Sequence, residues 1–191
     1  MSSPHPDHIP SAAPDVEVFD ADGNPVRLSH YWQGGLTALV FMRHVGCIFC
    51  REQVQELRDN AAALEAAGLS VVLITPDRAS RARKFVEEYR VPFPTVTDPK
   101  RNAYRAYGLT DGSLGQLVNP HIIARGAKAT LSGTFPNRPS SAPRQLPGTA
   151  IVDSAGRLLH LHHARDAADH LTSSELIELA RGMAERVAAA A

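Results

Sequence analysis

The chain has 191 residues, which suits one domain with a real core and excludes a multidomain assembly. Hydrophobic residues make up 43% and charged residues 21%, so a wholly disordered, collagenous or coiled-coil chain is excluded. Lys plus Arg and Asp plus Glu both number 20, and this balance gives no net pull toward nucleic acid, membrane surfaces or acidic ligands.

Residues 1–14 carry four of the 14 prolines and little to bury, and they are expected to form a mobile arm. They lack the basic start and apolar run of a signal peptide, and the longest apolar run in the chain is too short to cross a bilayer. The expectation is therefore a protein of the reducing cytoplasm, with no membrane and no nucleic acid among its partners. The domain is expected over residues 15–187, followed by a short tail at 188–191.

Val16, Val18 and Phe19, then the Asp22-Gly23-Asn24-Pro25 turn, then Val26 and Leu28 predict a β-hairpin at a sheet edge. Leu36 to Met42 is apolar on both faces, as in a strand buried inside a sheet. From Arg51 to Ala67 the period changes: Val54, Leu57, Ala61 and Leu64 share one stripe of an amphipathic helix closed by Gly68. Leu69 to Thr75 is a second buried strand, and Thr75-Pro76-Asp77 leads into a helix that buries Phe85, Val86 and Tyr89. Two βα units in succession indicate an α/β fold.

A short strand at Thr95 to Thr97 meets Asp98-Pro99, an N-cap with proline at the first helical position, and that helix is expected to run to Tyr107. Residues 109–146 are rich in Gly, Pro, Ser and Asn and predict a long insertion. Strands follow at Thr149 to Val152 and Leu158 to Leu161 around a turn at Asp153 to Gly156, and the Thr172-Ser173-Ser174-Glu175 capping box opens a last helix.

The two cysteines, Cys47 and Cys50, are too few for the disulfide framework of a small secreted domain. They sit where a buried strand hands over to a helix, so free N–H groups and the positive end of the helix dipole favour a thiolate. Arg43, His44 and Arg51 flank the pair and are expected to stabilise that thiolate. Two-residue spacing lets one thiol resolve an intermediate formed on the other as an internal disulfide. The competing readings are two small apolar residues packed under a helix, or half of a zinc site, but no second CxxC or suitably spaced His pair lies near.

The Arg43-His44-x-x-Cys47-x-x-Cys50-Arg51 elbow, Leu73-Ile74-Thr75, Pro92-Phe93-Pro94 before Asp98-Pro99, Tyr104-x-x-Tyr107-Gly108-Leu109, and Pro147-Gly148-Thr149 together resemble thioredoxin-fold peroxiredoxin-like proteins. These belong to the alkyl hydroperoxide reductase and thiol-specific antioxidant superfamily. Within it the resemblance is to the peroxiredoxin-like 2 group, which includes prostamide/prostaglandin F synthase, and it covers about residues 15–187. It implies a thioredoxin-like fold with a central mixed sheet flanked by helices. It also implies a thiol oxidoreductase that reduces peroxides or disulfides, needs no cofactor, is recharged by a thioredoxin- or glutathione-type reductant, and can pair as a homodimer. Lipid endoperoxide reduction and a non-enzymatic redox-sensing module are the alternatives.

The chain departs from the pattern of that family at two places. Its Pro-x-x-x-Thr-x-x-Cys motif, counted back from Cys50, meets Arg43 and Cys47, and its arginine before the strand after the insertion meets Pro147. Both departures favour dithiol chemistry over fast peroxide reduction. Cys50 resembles the peroxidatic position and Cys47 the attacking cysteine of thioredoxin, so the order of attack stays open. Pro147, ahead of Thr149, resembles the cis-proline that faces the active site in thioredoxin-fold proteins, which gives both residues an expected substrate-positioning role. His160, His162, His163 and His170 offer imidazoles with no carboxylate at tight spacing except Asp166 and Asp169, in a segment with no obvious geometry, and no metal is assigned. Arg125, Lys128, Arg138 and Arg144 make the insertion locally positive.

Overall fold

The computed structural model describes residues 12–118, 120–131 and 142–189. Among the described residues there are seven strands: β1 (Glu17–Phe19), β2 (Pro25–Arg27), β3 (Leu36–Phe41), β4 (Leu69–Thr75), β5 (Thr95–Thr97), β6 (Gly148–Val152) and β7 (Leu158–His163). They form one sheet in the order β2-β1-β5-β4-β3-β6-β7. β3, β4 and β5 run parallel, while β6 is antiparallel to β3 and β7 to β6, so the sheet is mixed. The predicted N-terminal hairpin stands at one edge, with Asp20 accepting the Asp22 and Asn24 amides to tie its turn.

Alternation along the central strands divides the core. Ala38, Val40, Val71, Leu73 and Ile151 face one cluster, whereas Leu39, Phe41, Val72, Ile74, Ala150 and Val152 face the other. Both faces are covered, which is why β3 and β4 read as continuous apolar runs. The first face carries residues of α1 (Ile48–Asp59), α2 (Ala61–Ala66), α3 (Ala79–Tyr89) and α7 (Ser173–Ala189). The second carries α4 (Asn102–Ala106) and a 3-10 turn at Leu28–Tyr31.

Several boundaries differ from expectation. The helix expected over 51–67 starts at Ile48 and breaks at Asn60, whose backbone leaves helical geometry at φ −107° and ψ 14° while its side-chain amide donates back to the Glu56 carbonyl. α4 starts at Asn102 rather than beside Pro99. Asp98 still caps it, accepting the Asn102 and Ala103 amides at 3.0 and 2.7 Å across an intervening turn. The capping box at Thr172 and Glu175 forms as expected, with Thr172 N donating to Glu175 at 2.7 Å. α7 runs to Ala189, into the segment assigned to a tail.

Among its described residues the 109–146 segment contains two helices, α5 (Leu114–Leu117) and α6 (Pro120–Leu131), where only an irregular insertion was expected. Its Gly, Pro and Ser content masks a helical stripe that tertiary packing completes: Ile122 is buried in the first cluster and Gly126 faces the Phe49 ring of α1. Arg125 of the same helix pairs with Glu52 of α1 at 3.6 Å. Of the expected mobile arm, residues 1–11 lie outside the described residues. Ala12 and Ala13 are anchored: Ala12 bridges Arg157, and Ala13 N donates to the Gly156 carbonyl at 2.8 Å. Arg138 also lies outside the described residues.

Candidate active site

β3 ends at Phe41, and the chain turns through Met42 to Gly46 before α1 begins, with Cys47 as its N-cap and Cys50 in its first turn. Three buried side chains fix this elbow. The Tyr104 hydroxyl lies 2.6 Å from the Met42 carbonyl and 2.9 Å from that of Ile74, tying the ends of β3 and β4 together. The Asp77 carboxylate accepts the Val45 amide at 2.8 Å and the Thr75 hydroxyl at 2.9 Å, and Arg81 neutralises it from 3.3 Å. Arg51 Nε donates to the Val45 carbonyl at 3.0 Å, with its guanidinium over the Tyr89 ring at 5.1 Å. Asp77 and Tyr104 were not among the expected site residues. Asp77 follows Thr75-Pro76 at the end of a buried strand, a place where an acid needs a partner, and that was the only signal available.

Both cysteines are free thiols and both are buried, at 5% exposure for Cys47 and 3% for Cys50. Arg43 is the cation that reaches them. Its Nη1 donates to Cys47 Sγ at 3.4 Å, and its backbone amide lies 3.3 Å from Cys50 Sγ. The same guanidinium donates through Nε to the Gln145 carbonyl at 3.0 Å and through Nη2 to the Pro143 carbonyl at 2.7 Å. One side chain therefore ties the far end of the insertion to the sulfurs.

The environments push the two thiols apart. A hydrogen bond from the Cys50 thiol, the Arg43 charge and the amides of Cys50 and Phe49 at the helix start outweigh burial and bring Cys47 down to about 6. Donating to Cys47 keeps the Cys50 proton in place, and burial beside the Cys47 charge drives the Cys50 thiol upward. One pair thus contains a ready thiolate and a thiol held protonated.

His44 does not act as the expected cation. It is 6% exposed, its Nδ1 has no hydrogen-bond partner among the described residues, and burial with the nearby Arg43 charge lowers it to about 4, so the ring is neutral near pH 7. Arg51 braces the elbow through Val45 and Tyr89, and Arg43 supplies the contact to sulfur.

Pro147 and Thr149 are buried at the start of β6, with Thr149 paired to Val40 and Gly148 to Phe41, alongside the strand that delivers the elbow. The expected cis bond is absent: none occurs among the described residues, and Pro147 is trans. Gly148 is tightly enclosed, since a Cβ there would press on Leu109 Cδ2 and sit 2.9 Å from the His162 carbonyl oxygen. No group of three or more His, Cys, Asp or Glu side chains among the described residues is arranged to hold a metal. His162 instead lies 3.4 Å from Asp169. No described helix is long and apolar enough to cross a membrane.

Comparison with known proteins bears on the family and the fold. The chain is 25% identical over 184 residues to "Peroxiredoxin-like 2C" of Bos taurus, covering 90% of this chain and 79% of that one. It is 31% identical over 97 residues to "Thioredoxin-like protein AAED1, chloroplastic" of Arabidopsis thaliana, a match that spans 51% of this chain and only 39% of the plant protein. Among solved structures, the peroxidoxin BcpB from Mycobacterium tuberculosis superposes with a TM-score of 0.65 at 20% identity, over 90% of this chain and 95% of that one. A peroxiredoxin-like protein from Aquifex aeolicus gives 0.65 at 11% identity, over 91% and 85%. The fold is thus thioredoxin-like, of the peroxiredoxin kind. Residues 9–161 match the model of the AhpC/TSA family, and the chain belongs to that family.

Proposed function

We propose that this protein is a thiol-dependent oxidoreductase in which Cys47 attacks and Cys50 resolves. The observation that carries the reading is the unequal pair: Arg43 and the Cys50 thiol both donate to Cys47 Sγ, so the thiolate forms on Cys47 while Cys50 keeps its proton. With a peroxide, the Cys47 thiolate attacks one oxygen, the O–O bond breaks, the leaving alkoxide takes a proton, and Cys47 becomes a sulfenic acid. Cys50 sulfur then attacks Cys47 sulfur, expelling water and closing the Cys47–Cys50 disulfide. With a disulfide substrate, Cys47 forms a mixed disulfide and releases one thiol. Cys50 then attacks Cys47 sulfur and releases the second.

Either route ends in the same internal disulfide, which an external thioredoxin- or glutathione-type thiol reduces. Pro147 and Thr149, beside the end of β3, are assigned the rim where substrate is held. The missing threonine and arginine of the family motif favour disulfides or slowly consumed peroxides as substrates. The cytoplasm is the proposed location.

The test is peptide mass spectrometry after treatment with hydrogen peroxide or an oxidised peptide, comparing wild type with Cys47→Ser and Cys50→Ser. The wild type should yield the Cys47–Cys50 disulfide, Cys50→Ser should trap sulfenic acid or a mixed disulfide on Cys47, and Cys47→Ser should be inert. Adducts trapped on Cys50 in Cys47→Ser would reverse the order of attack, and two unreactive thiols would overturn the reading. A lipid endoperoxide tried beside these substrates separates the endoperoxide alternative, since the same thiolate could open its O–O bond.

A further inference from the structure

The guanidinium that touches Cys47 is itself held by a device outside the elbow. Arg43 has two of its nitrogens on the carbonyls of Pro143 and Gln145, residues about a hundred positions away in sequence. Those carbonyls can aim a guanidinium only if their own backbone is fixed. Residues 109–112 and 142–146 lock together: Gly112 N donates to the Arg144 carbonyl at 2.7 Å, Leu146 N to the Thr110 carbonyl at 3.3 Å, and Asp111 and Gln145 form an isolated bridge.

The side chain of Gln145 is the centre of this lock. It is 1% exposed, although an amide is ordinarily left in water. Its Nε2 donates to the Leu146 carbonyl at 2.9 Å and the Thr110 carbonyl at 3.3 Å, and its Oε1 accepts from Arg101 Nη1 at 3.3 Å. Arg101 is in turn paired with Asp111. Arg101 also adopts φ 55°, in the left-handed region that is strained for a non-glycine residue and persists where surrounding structure requires it. Asp98 capping α4 just beyond it supplies part of that requirement.

We propose that Gln145 is a positioning residue of the active site: its buried amide, braced by Arg101 and Asp111, fixes the turn whose carbonyls hold the Arg43 guanidinium against Cys47 sulfur. The insertion is thereby part of the thiolate-forming apparatus. This inference rests on the assignment of Cys47 as the thiolate, but its readout is the ionisation of that thiol and needs no turnover, so failure of the dithiol chemistry and failure of the positioning role are distinguishable.

The experiment follows alkylation of Cys47 by iodoacetamide against pH in the full-length reduced protein, read by peptide mass spectrometry, with circular dichroism confirming the fold. Gln145→Leu keeps the volume and removes the amide. It should move the Cys47 midpoint up by about one unit, and so slow alkylation near pH ~5.5 by about eightfold. In an Arg43→Met background the same substitution should shift nothing further, since the effect runs through Arg43. Arg101→Ala, at a partly exposed site, should give a smaller shift in the same direction and decides the matter where Gln145→Leu fails to fold. Gln145→Asn, which retains an amide, should restore part of the midpoint. A folded Gln145→Leu with the wild-type profile, or a shift that persists undiminished with Arg43→Met, would overturn the proposal, as would an unshifted Arg101→Ala if Gln145→Leu does not fold.

Discussion

Removing the Arg43 charge is the most direct perturbation of the site, and Arg43→Met does so while keeping the side-chain stem. Nη1 lies 3.4 Å from Cys47 Sγ. A bare Coulomb term at that distance, with an effective dielectric of about 20, is ~5 kcal/mol, an upper bound because Arg43 is only half-buried. A hydrogen bond to a charged acceptor contributes about 1.5–3 kcal/mol, and the Cys50 thiol and helix N–H groups remain in place, so the lower range applies. At ~1.4 kcal/mol per unit this raises Cys47 by one to two units, from about 6 to between about 7 and 8. The thiolate share at pH 7 falls from about nine-tenths to between about a half and a tenth. The pH profile of Cys47 alkylation, read by peptide mass spectrometry, measures it. The linkage has a definite sign. The folded value of Cys47 lies below the unfolded value of ~8.5, so the stability it confers is present above the latter and is lost as pH falls through about 6. Arg43→Met should narrow that window from its acid side. A Cys47 midpoint that stays at the wild-type value in a folded Arg43→Met protein would refute the assignment of Arg43 as a contributor to the thiolate.

Other side chains give independent checks. Tyr104→Phe removes the hydroxyl partner of the buried Met42 carbonyl at the start of the elbow. It should cost about 1–3 kcal/mol in urea unfolding, and a change below about 0.5 kcal/mol would mean that water replaces the hydroxyl. Gly148→Ala places a methyl 2.9 Å from the His162 carbonyl and against Leu109, and should lower stability by about 1–3 kcal/mol, visible as a fall in Tm; an unchanged Tm would show that Leu109 and β7 give way freely. His44 is held at about 4 by burial and the Arg43 charge, below its unfolded value of ~6.5, so the unfolded chain binds more protons between these values and stability falls as pH drops from ~6.5 toward 4. His44→Phe should flatten that acid limb by an amount on the order of 3 kcal/mol in pH-dependent denaturation, and an unchanged slope would place the buried proton elsewhere.

Much of the sheet could be read from local pattern. β3 and β4 are covered on both faces and therefore carry unbroken apolar runs, and the hairpin turns at Asp22-Gly23-Asn24-Pro25 and Asp153 to Gly156 announce themselves by residue type. α6 was not legible, because its helix depends on Ile122 and Gly126 meeting α1, a contact with residues about seventy positions away. The break at Asn60 escaped for the opposite reason: the apolar stripe continues through it while a side-chain hydrogen bond at that one residue turns the axis.

At the site, sequence alone determined the cysteine pair, its strand-to-helix setting and the presence of cations nearby, since each depends on residues within a few positions of one another. Tertiary structure decided what those cations do. Arg43, His44 and Arg51 look alike as basic neighbours, but burial discharges His44, the Val45 carbonyl and Tyr89 ring engage Arg51, and Arg43 reaches Cys47. The carbonyls that aim Arg43 come from residues 143 and 145, and the Gln145 amide behind them is buried only because the insertion folds back onto the elbow. Charge and hydrogen bonding weaken with distance, so the ionisation of a thiol is set by neighbours in space: for Cys47 these are Cys50, Arg43 and Phe49, close in sequence, while the carbonyls that aim Arg43 come from across the fold.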